Sequence, residues 1–432
     1  MKRYIYIHLV LIFTGISTIN AQDYFSFYNL GDYVVQTQNI SPVYIPKNPF
    51  TLAIPMANIG FNFNSGFKIN ELLVQNESTK LLAFDLKNLH ASAEEYNYMN
   101  VDFNINIFCM AFKREKGSLT IFANTKITNN LRYSKDFLEV IANGITKSFS
   151  LTEQNNYTGY HEIGIGFTQT FLNDKLALAI RAKYLNGFMH SSTEDGAKLS
   201  LSLDDASANY LMNAQNLTLN TSGSVFTDSQ EFKTFTGNSG IGFDFGTTFK
   251  ATNKLTLEIA LNDIGFINWK EDVKNYNIKD VNNEEYSGID LRDIEGAEEG
   301  EYDFLNSLVT RTETELKFNT KLSMKTYVSA RYAITDKNTF TLAMFNTNAF
   351  DEFKPSYSLG YNRTLDKTTY GVLASKKGVN NDFFFGANFA LKLGPIQLYA
   401  ATDSLKALFE KIEEFSGANV RLGLNFIFDY NE

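Results

Sequence analysis

The stretch Val420-Arg-Leu-Gly-Leu-Asn-Phe-Ile-Phe-Asp-Tyr430 decides the fold. Apolar side chains stand at Val420, Leu422, Leu424, Phe426, Phe428 and Tyr430, with Arg421, Gly423, Asn425 and Asp429 between them. A period of two is the mark of a β-strand with one apolar face. The same pattern recurs at Val101–Cys109, Leu176–Tyr184, Ile241–Phe249, Leu255–Leu261 and Phe383–Leu391. In each, the other face carries Gly, Asn, Thr or charges of both signs. No run of eighteen apolar residues follows the N-terminus, so no helix of the usual kind spans a bilayer.

So many half-apolar strands cannot share one soluble core without leaving open edges. A closed membrane barrel resolves both problems, with lipid outside, a polar lumen inside and every backbone group paired. Composition fits: 38 Phe, 23 Tyr and 1 Trp go with only 6 Pro and 1 Cys in 432 residues. Mean hydropathy is −0.21, because every second strand residue faces water.

The connections alternate. Tight polar turns stand at 173–175, 252–254, 335–338, 365–367 and 394–395, and longer polar stretches lie between them. Outer-membrane barrels keep short turns on the periplasmic side and long loops outside. Tracing from the first strand near 51–64 to the last near 418–430 leaves both termini in the periplasm. The expected fold is an all-β, antiparallel transmembrane barrel of 14 strands. The count is 16 if the polar pair 196–204 and 208–221 joins the wall rather than forming a hairpin in an outer loop. Short loop helices are expected over 405–415, capped by Asp403 or Ser404, and near Phe137–Ile141.

The N-terminus combines Lys2 and Arg3, an apolar stretch to Phe13 and a small residue at Ala21, the pattern of a secretory signal peptide over 1–21. Losing Lys2 and Arg3 takes 39 basic residues to 37 against 48 acidic ones, a mature net charge of −11. Nucleic acid is not an expected partner; membrane lipid is. Residues 22–49 precede the barrel at 50–432 and carry Tyr24, Phe25, Phe27 and Tyr28. They are either a plug in the lumen or a loose periplasmic tail.

By alternation the lumen face carries Asp102, Lys126, Arg181, Lys183, Asp244, Lys250, Glu258, Arg331, Lys392, Arg421 and Asp429. Mixed signs make either a stiffening network of ion pairs or a polar path. Cys109 stands alone and reads as a small hydrophobe within its strand. Histidine is scarce: His90, His161 and His190 follow the leader, without a Gly-x-Ser-x-Gly elbow or a His-Glu-x-x-His pair. No catalysis, cofactor or metal site is expected. The stretch 280–303 holds ten acidic residues and a single basic one, Arg292, but lacks EF-hand spacing, and reads as a solvated outer loop.

Gly265-Phe266-Ile267-Asn268-Trp269-Lys270, Tyr286–Leu291, Leu398–Leu405 and Asn419–Phe426 together resemble an uncharacterised Bacteroidota family of outer-membrane barrels. That family, a domain of unknown function, is distantly similar to FadL-type transporters and to PorV of a secretion machinery. Phe266, Asn268, Trp269 and Lys270 are the most specific part. The resemblance implies transport of a small solute, a hydrophobic one included. The alternative is a non-transporting scaffold that binds secreted or envelope proteins through its outer loops. Two features depart from the pattern: Asn39-Ile-Ser-Pro-Val43 stands where Asn-Pro-Ala is common, and two residues follow Tyr430.

Overall fold

In the computed structural model the described residues are 24–65, 67–68, 71, 73–75, 82–143, 148–203, 210–223, 233–286, 311–348, 355–376, 383–408 and 416–428. Residues 1–23 (the expected signal peptide among them), Asp429 and most of the acidic stretch lie outside them.

Fourteen strands form one antiparallel barrel. They are β1 (Phe50–Ala53 and Asn58–Ser65), β2 (Tyr96–Arg114), β3 (Gly117–Ser134), β4 (Gln154–Phe171), β5 (Leu176–Thr193), β6 (Ser239–Lys250) and β7 (Leu255–Trp269). Next come β8 (Phe318–Lys321 and Met324–Thr335), β9 (Asn338–Asn348), β10 (Ser356–Thr364), β11 (Thr368–Lys376), β12 (Phe383–Leu393), β13 (Ile396–Thr402) and β14 (Gly417–Phe428). Each pairs with its neighbours in sequence, and β14 closes the ring on β1, with Phe61 opposite Val420. Closure leaves no edge.

The apolar parity faces out. Ile163, Ile165, Tyr184, Leu342, Leu359 and Val372 are each more than half exposed. Such a band on a closed barrel is what a bilayer covers. About 10 residues suffice to cross the hydrocarbon. Strands β9 to β13 have 7 to 11 residues, but β2 to β5 have 18 or 19. One side of the wall therefore stands well clear of the membrane, on the long-loop end. There it carries a separate four-stranded sheet of Phe149–Leu151, Lys198–Leu203, Tyr210–Gln215 and Val281–Tyr286. The polar pair that would have made 16 strands belongs here and to a short strand, Thr218–Ser222, that extends the wall beside β5. The barrel has 14.

Helices are few. α1 (Phe25–Tyr28) lies in the N-terminal segment; α2 (Leu86–Ser92) and α3 (Lys135–Asn143) pack together in the long loops through Leu89, Ala93, Tyr133 and Leu138. Of the helix expected over 405–415, Leu405–Leu408 form a 3₁₀ turn, and 409–415 lie outside the described residues. The Asp403 carboxylate accepts from the Ser26 N–H at 2.6 Å and so caps α1.

Among the described residues four register shifts interrupt the wall, and two of them move residues of the lumen. One between Asn106 and Phe108 turns Cys109 inward, where it is buried and accepts from Gln38 Nε2 at 2.8 Å. The other, between Phe243 and Phe245 on β6, faces Asn262 and Asp263 on β7. Both of those side chains are buried, and Asp263 has φ 59°.

Candidate functional site

Residues 24–49 lie inside the ring. They are bonded from strands on every side: Asp102 on β2, Arg181 on β5, Asn262 on β7, Asn362 on β10, Gln397 on β13 and Asn425 on β14. Only a segment within the lumen reaches all of these. Tyr24, Phe25, Phe27 and Tyr28 are almost wholly buried, in a cluster with the wall residues Ala260, Tyr327, Phe345, Leu373, Ala390 and Tyr399. The wall makes room with small residues. A Cβ on Gly246 would sit 2.9 Å from Val43 Cγ2, and one on Gly386 would meet Ser26 Oγ.

Cationic groups from the wall cover the aromatic rings of this segment. The Arg421 guanidinium lies 3.8 Å from the Tyr24 ring centre and 4.9 Å from that of Phe27, and Arg331 lies 4.3 Å over Tyr28. Tyr24 donates to Asp102 at 2.7 Å, and Tyr28 to Glu258 at 2.8 Å with Ser329 beside it. Arg181 donates to the Gln38 carbonyl at 2.7 Å and to Asn39 at 2.9 Å.

Beyond the segment lies a buried ion network. Lys183 Nζ meets Asp244 at 2.5 Å and Asp263 at 2.6 Å. Lys126 meets Glu162 at 3.0 Å and Asp263 at 3.3 Å, and Arg181 meets Asp244 at 3.1 Å. Lys325 reaches Asp263 at 3.4 Å and Asp102 at 3.6 Å. Four bases thus face four acids, so the cluster is formally neutral. Multiple partners for each ion offset the desolvation that burial imposes.

The expected lumen residues separate into groups. Asp102, Lys126, Arg181, Lys183 and Asp244 join this network. Glu258 and Arg331 face each other at 3.6 Å against Tyr28. Arg421 serves Tyr24 and Phe27. Lys250 is exposed and Lys392 half-buried, both at the short-turn rim and apart from the cluster. Asp429 lies outside the described residues. Sequence reasoning missed Glu162, Asp263 and Lys325. Glu162 shares the parity opposite to Ile163, Ile165 and Phe167, a signal that was available. Asp263 owes its place to the bulge, which strict alternation from Leu255 puts on the lipid side.

Toward the long loops stands a second buried aromatic cluster. Trp269 is fully buried, stacks on His190 at 4.7 Å and donates to Thr320 at 2.8 Å, with Ile267, Leu185 and Phe318 around it. Phe266 points outward and is partly exposed, Asn268 accepts from Asn319 at 2.9 Å, and Lys270 is exposed. His190 Nδ1 faces Thr158 and its Nε2 faces Ser192, at 3.0 and 2.9 Å, so no carboxylate completes a triad. His161 contacts Thr125 and the Thr234 carbonyl. Between network and stack remains a pocket of about 10 Å³, near the size one water needs, lined by Thr128, Thr158, Tyr160, Asp263, Ser323 and Lys325. Among the described residues no group of His, Cys, Asp and Glu has the geometry to hold a metal ion.

The family model described as a family of unknown function, DUF5723, matches residues 42–403. None of the curated proteins matches the sequence. Among solved structures, the chain is similar to the Pseudomonas putida toluene transporter TodX, at 9% identity and a TM-score of 0.40, over 91% of this chain and 92% of that one. It is also similar to a Pseudomonas aeruginosa FadL homologue, at 10% identity and a TM-score of 0.39, over 96% and 100%. The translocator domain of the autotransporter NalP from Neisseria meningitidis is similar at 10% identity and a TM-score of 0.30, over 88% and 89%.

Proposed function

The chain belongs to the DUF5723 family, and we propose that it is an exported outer-membrane barrel that passes a small solute when its N-terminal segment leaves the lumen. In this reading residues 1–21 are the signal peptide, 22–49 the plug and 50–432 the barrel, with short turns and both termini in the periplasm. One observation carries it: residues 24–49 fill the barrel through contacts to strands all around the ring. Such contacts close a pore without belonging to its wall. A hydrophobic cargo rests on the family resemblance. The lining itself, with four acids and four bases, offers a polar path. No step of this reading needs catalysis or a cofactor.

Planar-bilayer recording of the purified protein tests it. The intact barrel should be nearly silent, and deletion of residues 22–49 should give steady, several-fold larger conductance. A deletion variant that folds and stays silent would sink the plug. The second reading, a scaffold for secreted or envelope proteins, draws support from the extramembrane sheet. It gains if that variant is silent and the protein purifies in fixed ratio with a partner.

A further inference from the structure

The short-turn rim repeats one backbone arrangement around the barrel. In five of the six short turns a lysine immediately precedes the returning strand: Lys116, Lys175, Lys254, Lys337 and Lys367. The carbonyl of each accepts a backbone N–H from the next hairpin. The donors, in order, are Thr170, Lys250, Ala333, Thr364 and Lys392, at 2.7 to 3.0 Å. In the sixth turn Pro395 takes the place, its carbonyl accepting from Ile427 at 2.7 Å. The lysines are therefore structurally equivalent, although their turns differ in length.

The returning strands are alike as well. Three residues after the lysines stand Leu119, Leu178, Leu257, Phe340 and Tyr370, and after Pro395 comes Leu398. All but Leu119 are exposed, on the face that meets lipid. Three residues of strand are about 10 Å, so each ammonium sits a short reach beyond the apolar band. Phe112, Phe171, Phe249 and Phe428 thicken the band at this end, all of them exposed. An acidic residue precedes four of the lysines: Glu115, Asp174, Asp336 and Asp366. Among the described residues the five lysines are exposed and none takes part in an ion pair. The acids build the turns, as the positive φ of 60° at Asp174 illustrates.

We propose that this rim binds anionic phospholipid headgroups, one phosphate to each lysine. Lysine stems lie along apolar surface while the ammonium reaches the interface, and that is the depth of lipid phosphate. Neighbouring lysines are two strands apart, roughly 10 Å or more, too far to share one phosphate. They run from β3 to β11 around the circumference, facing the leaflet rather than one side. An acidic protein would have to encircle the barrel to engage them. This rests on the barrel standing in a bilayer and not on transport, so silent bilayers leave it intact.

Purified full-length protein in detergent micelles, offered equal phosphatidylglycerol and phosphatidylcholine, is the test, with retained lipid counted by native mass spectrometry. Each engaged lysine should favour the anionic lipid about fivefold. K116Q/K175Q/K254Q/K337Q/K367Q should bring the preference near unity, while replacement of all five by arginine should keep it. The wild-type preference should also collapse in about 1 M salt, where charges are screened beyond about 3 Å. Equal retention of the two lipids by the wild type overturns the proposal. So does a preference that survives high salt, which needs no variant to fold, or one that survives in a folded five-glutamine barrel. Binding of acidic peptides in place of lipid would assign the rim to a protein.

Discussion

The lumen is occupied in two ways, by a separate stretch of chain and by charged side chains of the wall. Near the short turns a separate stretch of chain fills it, held by aromatic rings under Arg421 and Arg331 and by backbone carbonyls bonded from the wall. In the middle the wall is lined and stiffened by ion pairs between its own strands. In the proposed reading the segment leaves as a unit, its bonds to the wall being replaced by water, while the charges of the network stay, since each is fixed to a strand of the wall. The two should then respond differently to mutation.

The largest effect belongs to the network. Lys183 lies at its centre, within 2.6 Å of two carboxylates. Lys183→Met removes the charge, keeps the length of the stem and leaves Asp244 and Asp263 facing one another. Breaking a buried pair on one side costs about 3–5 kcal/mol. The expected outcome is a matching fall in unfolding free energy, read from urea transitions in detergent. A loss below about 1 kcal/mol would make the network a solvated path and erase the contrast.

The segment should respond without the barrel. Gly246 lies on the inward parity of β6 against Val43. Gly246→Leu puts a side chain where the segment packs, an overpacking worth about 1–3 kcal/mol. Protease should then cut within residues 24–49 while the barrel keeps its strand spectrum. If the segment stays protected, or the barrel unfolds with it, the two fillings form one cooperative unit.

The contrast was partly legible in the sequence. Outward residues repeat one property along each strand, so alternation exposed Ile241, Phe243 and Phe245 and gave the barrel its strand count. Inward residues depend on partners that alternation does not see. Arg181, Lys183 and Asp244 were found on parity alone, and Glu162 has the same parity signal. Asp263 was not, because a bulge opposite Phe243 moves it across the wall. Cys109 crossed in the same direction for the same reason. Asp403 shows a further limit: a capping side chain before a helical pattern was read locally, while its carboxylate caps α1 from 377 residues away. No periodicity reports a contact of that range.

An exposed pair gives the smallest effect and sharpens the comparison from outside the membrane. In the loop after β7, Glu271 accepts from Lys233 at 2.8 Å and from the Gly237 N–H at 2.5 Å, tying residues 233–238 down. The Lys233 hydrogen bond first, and the Gly237 N–H second, hold the Glu271 carboxyl below the usual carboxylate range. A carboxyl lowered in the folded loop stabilises it fully above the unfolded value, about 4.3. That contribution is lost as pH falls through the lower, folded value. Both side chains are more than a third exposed, so solvent and salt screen the pair. Amide exchange at 233–238, corrected for its intrinsic pH dependence, should therefore speed up modestly between neutral pH and about pH 3. In Glu271→Gln exchange should be fast throughout and the acid-dependent step absent. The barrel should be unchanged in both. Equal exchange ratios in the two proteins would mean that the loop is held by Thr236 and Asn238 through the Asn186 and Gly187 backbone and side-chain bonds, and that the ion pair adds nothing.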